Sequence, residues 1–241
     1  MSTLRVRYRF NLPKGRRESF DLFFEAQDFR LLNPMPKPVP FWAELGFNQC
    51  ENCPLSLADH PACPAAAQLV AVVEKIETLV SYDEIRVDVL TAERSITQTT
   101  TAQQGLASLF GLILSTSGCP RTAFLRPMAR FHLPLANELE TLYRSVTMHL
   151  LDMHFRRSRG ETTTENFDGL KAAYAELHPV NRGIAKRLRA ASRSDPALNA
   201  VTLLDTYASL LPDTLEQSLS ELDALFAAGR AAEASGNSSA N

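Results

Sequence analysis

Apolar and polar residues alternate from the first positions of the chain. Leu4, Val6, Tyr8 and Phe10 are separated by Arg5, Arg7 and Arg9, the two-residue period of a strand with one buried face. Pro13 and Gly15 mark a turn, and Phe20, Leu22 and Phe24 resume the alternation. Residues 3 to 26 are therefore predicted to form a β-hairpin. The period returns at Ile85, Val87 and Val89, followed by the turn T-A-E-R and the β-branched run S-I-T-Q-T-T-T, which predicts a second hairpin.

Elsewhere the spacing is helical. Pro64 to Val80 and the almost wholly apolar Gln103 to Ser115 predict two helices, the second buried all round. Leu135, Leu139, Leu142, Val146, His149/Leu150 and Met153 form the stripe of a long helix that stops at Arg156, Arg157, Arg159 and Gly160. Leu170, Tyr174, Leu177, Ile184 and Leu188 form another, which Pro179 should kink or split. A helix from Pro196 to about Leu211 and a last one from Asp213 to Gly229, striped by Leu215, Leu219, Leu222 and Phe226, complete the set. The pattern predicts an α+β fold, a small antiparallel sheet of two hairpins packed with a mainly helical C-terminal half. Its expected divisions are an α+β domain over 1–191, a helical hairpin over 192–230 and a disordered tail over 231–241.

Charge changes this picture little. The 241 residues carry a formal net charge of −2, which gives no general case for nucleic acid or an anionic membrane. Arg182, Lys186, Arg187, Arg189 and Arg193 lack aromatic interleaving and read as a solvated face. The longest apolar run, Leu106 to Leu114, is too short to span a bilayer. The N-terminus shows no signal core. The expectation is a soluble cytoplasmic protein whose thiols stay reduced or metal-bound.

The residues that point to chemistry are four cysteines. After a proline-rich connector (Pro34, Pro36, Pro38, Pro40) come Cys50, Cys53 and Cys63 within G-F-N-Q-C-E-N-C-P-L-S-L-A-D-H-P-A-C-P, and Cys119 follows within T-S-G-C-P. Cys53, Cys63 and Cys119 each precede a proline. Proline is favoured at the first position of a helix, so each cysteine is expected at a helix cap, where the dipole favours thiolate. C-x2-C places two sulfurs on one metal, and Cys119 would close the site as a tertiary fourth ligand. His60 supplies a competing local set with Cys50, Cys53 and Cys63 that suits zinc.

Three readings follow. The first is an iron–sulfur cluster held by Cys50, Cys53, Cys63 and Cys119, with an electron-transfer or redox-sensing role. The second is a structural zinc site in a non-catalytic binding or scaffold protein. The third is a metal-free thiol redox enzyme using Cys50 or Cys53 as nucleophile. Buried, reduced cysteines acting as small hydrophobes are the bland alternative. Glu138, Glu140, His149 and His154 share one predicted helix, yet the Glu-x-x-His spacing of di-iron helices is absent. No phosphate-binding glycine loop, nucleophile elbow or H-E-x-x-H motif is present. A protein partner is open, and the C-terminal helices leave room for a homo-oligomer.

The combination F-N-Q-C-x2-C-P-L, H-P-x-C-P, S-G-C-P and R-P-M-A-R-F-H-L-P resembles an uncharacterised bacterial family, known only as a domain of unknown function. The resemblance covers roughly residues 1 to 190, leaving the region from about Ser192 outside it. It implies a bacterial soluble protein and brings no activity.

Overall fold

A computed structural model describes residues 2–163, 166–191 and 195–237. Both predicted hairpins form: β1 (Thr3–Asn11) with β2 (Arg17–Glu25), and β3 (Glu84–Leu90) with β4 (Ser95–Thr101). β1 and β3 also pair antiparallel, which merges the hairpins into one four-stranded sheet of order β2-β1-β3-β4. In that register Tyr8 faces Phe20 on one side and Val89 on the other, so the apolar alternation of three strands falls on one face.

Helices α1 (Pro64–Lys75) and α2 (Ala102–Thr116) share a core with that face. At Gly105 α2 comes so near the sheet that a Cβ would meet Val87 at 3.0 Å and Ile85 at 3.2 Å. A larger residue there would have to push those side chains aside. Helix α1 stops short of the predicted Val80, at Lys75, and the chain turns with Ile76 buried.

The second half holds α3 (Arg126–Arg130), α4 (Glu138–Ser158), α5 (Asp168–Ala175), α6 (Leu177–Ala191) and α7 (Pro196–Asn237). α4 opens with a capping box: Asn137 accepts from the Glu140 amide while the Glu140 carboxylate accepts from Asn137 N–H. The split at Pro179 is present, because the chain breaks at Glu176 and Pro179 enters the first turn of α6. There its missing N–H removes no helical bond.

The expected helical hairpin is instead a single helix. α7 runs through Pro212, although proline inside a helix costs about 3 kcal/mol. Its stripe explains why: Leu204, Ala208, Leu211, Leu215 and Leu222 keep one helical phase across the proline, and the last four are buried against α4 and α5 with Leu142, Val146, Leu170 and Tyr174. A break would take half of that stripe out of register. The expected tail is helical as far as Asn237, where alanines favour helix; residues 192–194 and 238–241 lie outside the described residues. Ala197, Ala200 and Val201, early in α7, belong to the sheet core. No helix among the described residues is long and apolar enough to cross a membrane.

Candidate metal centre

The cysteine loop is closed at its base by a two-stranded clasp. Cys63 N–H donates to Ala43 O at 2.8 Å, Leu45 N–H donates to Pro61 O at 3.0 Å, and Glu44 bridges to Ala62. Within the loop Cys53 N–H donates to Cys50 O at 3.0 Å, a turn that draws the C-x2-C pair together. Cys63 caps α1 with Pro64 at its first turn, as the sequence predicts.

The other two cysteine–proline steps differ from expectation. Cys53-Pro54 starts no helical turn; the next turn spans residues 57–59, held by Ser56 and Asp59 side chains bonded at 2.6 Å. Cys119-Pro120 opens a tight turn instead of a helix, with Thr122 N–H donating to Cys119 O at 3.2 Å. The reason is local. Thr122 Oγ1 donates back to Leu114 O at 2.6 Å and folds the chain against the end of α2. The turn points the Arg121 and Thr122 amides at the Cys119 sulfur, so this thiol has the donors of a cap without the helix. It also lies beside the first cysteine segment, since a Cβ on Gly118 would stand 3.9 Å from Pro64 Cβ.

The structure brings Cys53, Cys63 and Cys119 into electrostatic range of Cys50, and Cys63 into range of Cys119. Burial pushes the Cys50 thiol up to about 12, and the charges of Cys63, Cys119 and Cys53 push in the same direction. Cys119 is also raised, by burial first, against the N–H groups that pull it down. Burial thus disfavours the thiolate of Cys119 in the metal-free protein, contrary to the thiolate expected at its cap. Cys63 and Cys119 are buried, Cys50 and Cys53 are half-buried, and none forms a disulfide.

His60 stands apart. It is exposed, its N–H bonds Ser56 O at 3.0 Å, and it is not among the groups that act on Cys50. The α4 carboxylates and histidines do not converge either: Glu140 is spent on the helix cap and His149 contacts Asn166 O. Among the described residues no group of three or more His, Cys, Asp or Glu side chains has the arrangement of a metal-holding set as it stands.

Two residues at this site escape a reading of sequence. The first is Arg187, read there as solvated. Its side chain is fully buried, the largest such side chain among the described residues. Nη1 donates to Trp42 O at 2.7 Å and Glu44 O at 2.6 Å, Nη2 donates to Leu45 O at 2.9 Å, and Nε has no partner. Among the described ion pairs none joins Arg187 to a carboxylate. Its charge instead favours the thiolate of Cys50. The second is Gly183, one turn earlier on α6, where a Cβ would fall 2.7 Å from Cys50 Sγ. The signal was present in the stripe: Arg187 stands one turn after Gly183 among Val180, Ile184 and Leu188, which are all buried.

A rim of polar contacts fixes the loop to the helical half. Asn52 Nδ2 donates to Glu176 O at 2.9 Å, Arg121 Nε donates to Asn52 O at 2.6 Å, and Arg121 pairs with Glu176 at 3.2 Å. Trp42 is buried and Phe47 half-buried, the latter edge-on to Phe41.

The donor chemistry fits a metal. Four sulfurs, amides aimed at one of them, and a buried cation without a counter-charge together suit a net negative metal–thiolate centre. No curated protein and no solved structure matches the chain. A family model described as "Domain of unknown function (DUF6901)" matches residues 6–227, which extends past the expected limit near residue 190 and takes in most of α7. The chain belongs to that family.

Proposed function

We propose that Cys50, Cys53, Cys63 and Cys119 hold an iron–sulfur cluster and that the protein transfers electrons or senses redox state in the cytoplasm. Arg187 carries this reading. A buried guanidinium with no carboxylate partner is strongly disfavoured unless an anion offsets it; in the loop it braces Glu51, Asp59 and His60 are exposed, and the sheltered ionisable groups are thiols that a metal would convert to thiolates. A bound cluster supplies one-electron exchange at a potential set by its surroundings. The protein supplies the burial, the Arg121 and Thr122 amides at Cys119, and the Arg187 charge that favours the more negative state.

A second reading has its own observation. The tight packing of Gly183 on Cys50 suits a small occupant, which favours a single structural zinc ion. The same burial that raises Cys50 argues against its use as a metal-free nucleophile.

The test is metal and sulfide analysis with a visible spectrum on protein purified without oxygen, for the wild type and two variants. A brown protein containing iron and sulfide, colourless as Cys119→Ser and unchanged as His60→Ala, supports the cluster. One zinc with no colour selects the structural site. No metal in the wild type, or full loading in Cys119→Ser, overturns the four-cysteine site.

A further inference from the structure

Helix α4 is apolar on two opposite faces. Leu142, Val146 and Met153 are buried, the first two in the helical core that α7 completes. An open groove of about 990 Å³ between α3, α4 and α5 takes in Met148, Leu151 and Phe155 of the opposite face together with His149 and Met153, and Phe131 of the α3 end. Phe131, Leu151 and Phe155 are exposed at 75%, 53% and 49%. Large contiguous exposed apolar surfaces of this kind mark interaction sites. Arg144 and Arg156 also line the groove, with His149 and one carboxylate, Asp152, paired to Arg156 at 2.8 Å. Arg130 flanks it over the Phe131 ring.

A candidate occupant is on the same chain. α7 has 42 residues, about 63 Å at 1.5 Å per residue. Among the described residues its last buried side chain is Leu222. The stripe that holds Leu215 and Leu222 to the body continues in phase to Phe226, which is exposed beside Leu225. From Asp213 to Arg230 the helix carries Asp213, Glu216, Glu221 and Asp223 against one cation, Arg230, which pairs with Asp223 at 2.8 Å.

We infer that the protein forms a two-fold dimer in which the α7 end of each copy lies in the α3–α5 groove of the other. An acidic helix end presenting Leu225 and Phe226 meets an apolar floor whose flanking charges are mainly cationic. Two-fold symmetry makes the contact twice and leaves no groove open, as closed dimers do. The occupant follows from both surfaces being on one chain, and it does not depend on what the cysteines bind.

The test is sedimentation of the full chain over a concentration series. The wild type is expected to dimerise. Phe226→Asp at the helix end and Leu151→Arg in the groove should each weaken the dimer about tenfold or more. Both positions are exposed, so helicity by circular dichroism should not change. An equal mixture of the two variants should recover a dimer, because one unaltered end still meets one unaltered groove. A wild type that stays monomeric throughout overturns the inference, as does a dimer that both substitutions leave intact or a mixture that recovers nothing.

Discussion

Helices α6 and α4 break the same rule in opposite directions. On α6 a cation stands in the apolar stripe and is fully buried, its donors bonded to three carbonyls apart from Nε. On α4 apolar side chains stand on the face that should be polar, and Leu151 and Phe155 remain exposed. Each exception asks for something that the isolated chain lacks. A buried charge needs a counter-charge, and an exposed apolar stripe needs a cover. The two also differ in how firmly they are built. The α6 site is enclosed by the loop clasp, the Cys119 turn and the Asn52–Glu176 contacts. The α4 groove is open and bears little of the fold.

That difference predicts where substitutions are felt. Arg187→Met should have the largest effect. It keeps the bulk on the stripe but strips the partners from Trp42 O, Glu44 O and Leu45 O, at about 1–3 kcal/mol for each carbonyl left unsatisfied. Urea unfolding should show a loss of roughly 3 kcal/mol or more, and metal content should fall with it. A variant as stable and as metal-loaded as the wild type would erase the contrast between the two helices.

Gly183→Ala comes next. Its Cβ would intrude on Cys50 Sγ at 2.7 Å, and overpacking of this kind costs about 1–3 kcal/mol. Weaker metal retention should accompany a modest fall in the unfolding midpoint. Full stability with full loading would mean that the loop gives way at Cys50.

The smallest effect concerns pH. Cys50 rises from an ordinary 9.0 to about 12 in the folded, metal-free chain, so the unfolded chain releases that proton first. Stability of the chelator-treated protein should therefore decline as pH rises from 9.0 towards 12. Cys50→Ala should flatten the decline. In the loaded protein the sign reverses, since metal displaces protons and acid favours release. Urea melts on either side of pH 9.0, with and without chelator, would show whether the thiol site responds as a buried one.

Periodicity made much of the fold legible. The strands at Leu4–Phe10 and Ile85–Val89 needed only alternation, and α2 declared itself as apolar all round. The β1–β3 pairing was not legible, because nothing local states which edges of two hairpins meet. Pro212 misled for a related reason: it disfavours helix locally, whereas the stripe that overrides it gains its energy from α4 and α5. At the site, spacing singled out the four cysteines as candidates, and the Cys63 cap was readable from its proline. The Cys119 turn was not, since the same proline serves a tight turn once Thr122 bonds back to Leu114. Arg187 was misread because a run of arginines suggests solvent, and its place among Val180, Ile184 and Leu188 carried the better signal.

Arg187 also sets a time. During synthesis Cys119 leaves the ribosome 68 residues before the cation that braces the cysteine loop, a difference of positions 187 and 119. At about 5–20 residues per second that is roughly 3–14 s. For that interval the nascent chain carries four thiols whose loop still lacks both its buried charge and the Gly183 wall. A centre held as proposed would thus be completed late in synthesis, and a chain stalled between those positions would expose its cysteines without that brace.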